Sequence, residues 1–143
     1  MITYTKGNIF ESRMDAIVNP VNTVGVMGKG LALQMKIRYP LMFRSYKSAC
    51  ERGMIETGKI YISRNEGRTI LLFPTKKHWR NPSEYTYIEE GLKYLVKNYS
   101  LLNLKSIAFP RIGCGCGGLD WNKVKAMLEK YLKDTDLEIE IYE

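Results

Sequence analysis

Lys76 and Lys77 stand side by side just after the apolar run 69–73, in the segment Phe73-Pro74-Thr75-Lys76-Lys77-His78-Trp79-Arg80. Adjacent ammonium groups behind a buried strand can depress each other's basicity, and the neutral amine that results attacks a carbonyl carbon. His78 and Trp79 add flat surfaces on which a base or a ribose can lie, and Arg80 adds a phosphate contact. The same residues also describe a solvated basic loop, and both readings stay open at this stage. His78 could act as a general base, but no Ser or Cys pairs with it visibly, so a triad is not supported.

Two glycine-rich segments carry a second kind of chemistry. The first runs Asn19-Pro20-Val21-Asn22-Thr23-Val24-Gly25-Val26-Met27-Gly28-Lys29-Gly30-Leu31 and opens a helical period. A glycine-rich turn entering a helix offers backbone N–H groups and a positive dipole end to an anion. It fits neither the P-loop nor the GxGxxG fingerprint, and it also reads as a plain strand-to-helix turn. The second segment, Arg111-Ile112-Gly113-Cys114-Gly115-Cys116-Gly117-Gly118-Leu119-Asp120-Trp121, is another phosphate cradle in form. Cys114 and Cys116 are too close for a zinc pair and no second pair exists, so no metal site is expected. Cys114 is better suited to packing than to nucleophilic attack.

Elements must hold these segments at one edge. Strand periods are expected at 2–6, 16–21, 59–63, 69–73, 106–109 and 137–142, with a turn at Arg64-Asn65-Glu66-Gly67. Helical periods fall at 31–38, from Pro40 through Phe43, Tyr46, Ala49 and Cys50, from Tyr85 to Tyr99, and from Trp121 to Leu132 with Asp120 as N-cap. Their alternation predicts an α/β fold, a three-layer α/β/α sandwich around a central mixed sheet. Each chemistry-bearing segment follows a strand, where ligands of open α/β sheets sit.

The 143 residues, 45% hydrophobic and 26% charged, fit one globular domain and exclude a disordered, collagenous or coiled-coil chain. No apolar run approaches a membrane span, and the opening is no signal peptide. Three cysteines make no disulfide framework, which points to a reducing cytoplasm. The net charge is +7, concentrated as a local +9 between Lys29 and Arg80, whereas the last fifteen residues carry −4. A one-sided basic region suits a polyanion such as nucleic acid or a phosphate-bearing molecule, and equally a solvated surface.

Together the motifs TYTKGNIFE, DAIVNPVNTVGVMGKGLALQMKIRYP and IAFPRIGCGCGGLDW resemble the macrodomain family, which binds ADP-ribose. The resemblance covers essentially all of residues 1–143 as a single macrodomain. VGVMGKGLALQ, FPTKKHWR and PRIGCGCGGLDW are most similar to the branch that contains DarG-type antitoxins and the terminal ADP-ribose protein glycohydrolase. This implies an ADP-ribosyl glycohydrolase in which Lys76, the lysine after Thr75, attacks the anomeric carbon of the distal ribose. It also implies that Asn8 and Ile9 bind adenine, and that Asn19 and Asn22 belong to the site, with Asn22 near the distal ribose. By the same resemblance Met27, Gly28, Lys29, Gly30 and Leu31, with Gly113, Cys114, Gly115, Cys116, Gly117, Gly118 and Leu119, hold the pyrophosphate and distal ribose. No cofactor or metal is implied.

The protein-directed glycohydrolase carries a catalytic Asp where this chain has Gly117. That difference and the basic charge favour removal of ADP-ribose from thymidine in single-stranded DNA. Removal from Glu or Asp of proteins is the alternative, as is a reader that binds ADP-ribose without hydrolysis. A cognate ADP-ribosyltransferase toxin is an expected partner, and the protein is expected to be a monomer.

Overall fold

Strand and helix alternate from end to end in the computed structural model, which describes residues 1–64 and 67–143. The order is β1 (Ile2–Thr5), a 3-10 turn (Ile9–Glu11), β2 (Ala16–Val21), α1 (Gly30–Arg38), α2 (Pro40–Glu51) and β3 (Tyr61–Ser63). There follow β4 (Thr69–Pro74), α3 (Tyr85–Asn98), β5 (Ser106–Phe109), α4 (Trp121–Leu132) and β6 (Glu138–Tyr142). The strands form one six-stranded sheet in the order β1-β6-β5-β2-β4-β3. All neighbouring pairs are parallel except β3 with β4. The expected mixed sheet and three layers are therefore present. The turn expected at 64–67 includes Asn65 and Glu66, which lie outside the described residues. No helix among the described residues is long and apolar enough to cross a membrane.

Two cores sandwich the sheet. Val18, Leu71, Phe73, Ile107, Phe109, Ile139 and Ile141 pack against Ile88, Leu92 and Leu95 of α3 and Val124, Leu128 and Leu132 of α4. On the other face Ile17, Val21, Ile70, Leu72 and Ala108 meet Met35 of α1 and Met42, Tyr46 and Ala49 of α2. Strands β2, β4 and β5 are covered on both faces, so they read as continuous apolar runs. Strand β6 alternates because only one of its faces meets helices; on the other, Glu140 accepts from Ser12 Oγ at 2.7 Å.

Small departures from the expected boundaries have local causes. Lys59 closes a turn, its N–H donating to Glu56 O, so β3 starts at Tyr61. Met42, rather than Phe43, fills the inward position of α2. Phe43 is half-buried, with Lys36 Nζ 4.4 Å from its ring centroid. The expected caps are present. Pro40 opens α2, and Asp120 Oδ1 accepts from Asn122 N at 3.0 Å at the start of α4.

Phe73 and Gly91 lock α3 onto β4. A Cβ at Gly91 would lie 2.4 Å from Phe73 Cζ, inside a fully buried ring. Alanine in a helix interior is favoured over glycine by about 1 kcal/mol, but overpacking a closed core costs about 1–3 kcal/mol. Gly91→Ala is therefore expected to lower the unfolding free energy by about 1–2 kcal/mol, read as a lower midpoint in urea with an unchanged slope.

Candidate functional site

The site is built where β2, β4 and β5 end together. Val21 is in register with Pro74, and the next residue, Thr75, donates its N–H to Val21 O at 2.9 Å. Beyond the strands the two loops stay joined. Thr23 donates to Lys77 O from its N–H at 3.0 Å and from Oγ1 at 2.7 Å. The first glycine loop and the lysine segment therefore form one wall.

Asn22 organises that wall from within. Its Nδ2 donates to Val26 O at 2.8 Å, while its Oδ1 accepts from Val24 N at 3.1 Å. The hydroxyl of Tyr46, a fully buried residue of α2, lies 2.8 Å from both Asn22 O and Asn22 Oδ1. Burial holds the Tyr46 phenol well above its usual range, so it stays a neutral donor. The polar atoms of Asn22, expected near the distal ribose, thus hold the loop from within. Asn19 is likewise internal, with Nδ2 3.8 Å from Met27 Sδ and Oδ1 buried without a partner among the described residues. Met27 lies over it, buried, and only its backbone can face outward.

Beyond Met27 the chain enters α1 without a side-chain cap. The N–H groups of Gly28, Lys29, Gly30 and Leu31 hold no hydrogen bond among the described residues. An uncapped helix start of this kind presents donors and a positive dipole end to an anion.

The loop after β5 supplies the facing donors. It closes on itself through Cys114 N to Arg111 O, Gly118 N to Gly115 O and Leu119 N to Gly113 O, at 3.2, 3.3 and 2.9 Å. This leaves the N–H groups of Gly113, Gly115, Cys116 and Gly117 without a partner among the described residues. Gly117 packs so tightly that a Cβ would fall 2.3 Å from both Gly113 O and Ser83 Oγ. Ser83 N in turn donates to Gly117 O at 3.0 Å. Cys114 Sγ lies 3.3 Å from Ile112 O, and burial pushes its thiol up, against a nucleophilic role.

Lys76 spans the two walls. Its Nζ donates to Cys116 O at 3.0 Å and to Trp79 O at 3.4 Å. Lys77 departs in another direction, its Nζ 5.9 Å from the Tyr87 ring centroid on α3. The two lysines thus find different partners, and their adjacency in sequence does not become a shared environment.

A cleft of about 410 Å³ continues along the same edge toward β1 and β6, lined by Asn8, Ile9, Phe10, Leu31, Gln34 and Tyr142 among others. Asn8 Oδ1 caps the 3-10 turn by accepting from Phe10 N at 2.9 Å, which leaves its NH2 facing solvent. Arg68 fixes the exit of this turn by donating to Phe10 O and Ser12 O. Asn8, Ile9 and Leu31 are among the residues singled out in the sequence. Phe10 and Gln34, local neighbours of Ile9 and Leu31, are not, and neither are Tyr142, Tyr46, Arg68 and Ser83, which reach the site only through strand order or a distant contact.

The Macro domain family model matches residues 18–128, and the chain belongs to this family. It is 45% identical over 148 residues to a DNA ADP-ribosyl glycohydrolase of Thermus aquaticus, a match that takes in 100% of this chain and 41% of that protein. The solved macrodomain of Mycobacterium tuberculosis DarG superposes with a TM-score of 0.95 at 45% identity, over 99% of this chain and 97% of that one. The structure of Thermosipho africanus DarTG in complex with ADP-ribose gives a TM-score of 0.95 at 39% identity, over 99% of this chain and 41% of that one. This chain therefore spans about two fifths of the length of the DNA ADP-ribosyl glycohydrolases it matches.

Removing the Tyr46 hydroxyl strands a buried acceptor at Asn22 while leaving the ring volume intact. Tyr46→Phe is expected to cost about 1–2 kcal/mol of stability. Hydrogen exchange should show faster opening at residues 22–27, with little change in α3 or α4.

Proposed function

We propose that this domain is an ADP-ribosyl glycohydrolase that removes ADP-ribose from modified thymidine in single-stranded DNA, with Lys76 as nucleophile. The observation that carries the reading is the position of Lys76 Nζ, 3.0 Å from Cys116 O, between two walls of backbone donors that have no partner among the described residues. The chain's likeness to the DNA ADP-ribosyl glycohydrolase of Thermus aquaticus supports the same reading. The ligand is ADP-ribose, and no cofactor is needed.

The adenosine end fits the cleft beside Asn8, Ile9 and Tyr142. The pyrophosphate fits between the start of α1 and the amides of Gly113–Gly117, where only backbone groups approach it. The distal ribose then meets Lys76. After losing one proton to solvent, Nζ forms a bond to the anomeric carbon as the bond from that carbon to the base breaks; the departing base anion takes a proton from water, and the substituted ammonium gives one up to water. The ring oxygen departs to give an iminium, water adds to it, and loss of the amine returns free ADP-ribose and Lys76.

Packing at Gly117 bears on the substrate. A carboxylate at that position would collide with Gly113 O and Ser83 Oγ, so this loop has no room for the acid that the protein-directed relative uses there. A monomer acting in the cytoplasm against a DNA-directed ADP-ribosyltransferase completes the proposal.

Lys76→Ala is expected to reduce release of ADP-ribose from thymidine-modified DNA by on the order of a thousandfold or more, with ADP-ribose affinity changed less than about threefold. Loss of both, or of neither, overturns the assignment. Release from Glu- or Asp-modified protein alone moves the substrate to protein, and binding without any release makes the domain a reader. Gly117→Ala should weaken ADP-ribose binding by about tenfold or more in a calorimetric titration, because the loop must open to admit the methyl group.

A further inference from the structure

The lysine turn ends in an aromatic surface whose chemistry the ADP-ribose cleft does not use. Trp79 is 44% exposed, and its indole N–H holds no hydrogen bond among the described residues. Trp121, by contrast, is half-buried and donates to Glu143 Oε2 at 3.0 Å. The Trp79 ring lies beside the His78 ring, with centroids 5.2 Å apart and planes 31° apart. The Arg80 guanidinium sits 4.6 Å from the Trp79 centroid.

The backbone beneath this surface is fixed at several points. Trp79 O accepts from Lys76 Nζ, His78 Nδ1 accepts from Arg80 N at 3.1 Å, and His78 O accepts from Asn81 N at 3.0 Å. Across the joined wall, Val24 and Val26 stay exposed at 45% and 39%. No acidic residue lies between Glu66 and Glu84 in the sequence, whereas Lys77 and Arg80 flank Trp79 along the chain.

Resting on the glycohydrolase reading above, we infer that Trp79, supported by His78, is the stacking platform for the thymine that carries the ADP-ribose, with Arg80 on an adjacent DNA phosphate. The anomeric carbon must sit at Lys76 Nζ, so the leaving group lies on the solvent side of that amine, where the turn puts Trp79. A flat base stacked there is held in line for departure, and an indole face favours a nucleobase over an aliphatic carboxylate. Trp79 is thus a specificity-determining residue for DNA, distinct from the donors that hold ADP-ribose. Single-stranded DNA suits the surface because an unpaired base exposes its face.

The test compares wild type, Trp79→Ala, Trp79→Phe and Arg80→Gln in three measurements. These are binding of a labelled unmodified oligothymidylate, kcat and KM on thymidine-modified single-stranded DNA, and affinity for free ADP-ribose. Trp79→Ala should weaken oligothymidylate binding about tenfold and raise KM about tenfold, with kcat and ADP-ribose affinity within about twofold of wild type. Trp79→Phe should recover most of the loss, and Arg80→Gln should lower the salt slope of DNA binding by about one. Unchanged oligothymidylate binding and KM in Trp79→Ala overturns the platform, as does an equal loss of ADP-ribose affinity. If wild type releases nothing from DNA, the glycohydrolase reading fails by itself. The platform is then decided by the oligothymidylate arm, where a tenfold loss supports it and no loss overturns it.

Discussion

The parallel register of β2 on β4 is the constraint from which the site follows. Six pairs, from Ala16 with Thr69 to Val21 with Pro74, bring both strands to an end at one level. Only from that level can Thr75 N reach Val21 O, and only then can Thr23 hold Lys77 O. A slip by one residue would exchange the two faces of β4. Phe73 would then point at α1 and α2 instead of into the space that Gly91 leaves on α3. The register that fills the core and the register that aims Lys76 at Cys116 are the same one.

Charge is distributed with similar economy. Several basic residues of the middle segment serve backbone carbonyls: Arg68 holds the exit of the 3-10 turn, and Arg64 donates to Leu102 O at 2.7 Å. Three acids near the C-terminus are engaged along the β1, β6 and α4 side. Glu129 accepts from Tyr4, Glu140 from Ser12, and Glu143 from Trp121 and Lys125. The basic loops after β2 and β4 therefore keep their positive field, which exposed ion pairs elsewhere do little to offset.

Much of this was legible in the sequence because it depends on local periods. The strand at Ala16–Val21 and the helix at Trp121–Leu132 with its Asp120 cap follow from apolar spacing and cap chemistry, and both glycine loops announce themselves by composition. Contacts between distant loops were not legible. That Gly117 must lack a side chain depends on Ser83, thirty-odd residues away, and that Asn22 turns inward depends on a tyrosine from α2. The lysine pair shows the same limit: neighbours in sequence, Lys76 and Lys77 separate because one faces the loop after β5 and the other α3.

The loop after β5 has a consequence for how such a domain can diversify. Its free donors are peptide N–H bonds, which every amino acid but proline supplies alike, and its interior leaves no room at Gly117 for a new side chain. Mutation can break this cradle but cannot give it a new vocabulary. On the proposed reading, affinity for one diphosphate geometry is in that sense frozen into the main chain. Variation in what the domain acts on must accumulate at the rim, in side chains that can change without disturbing the hydrogen bonds below them.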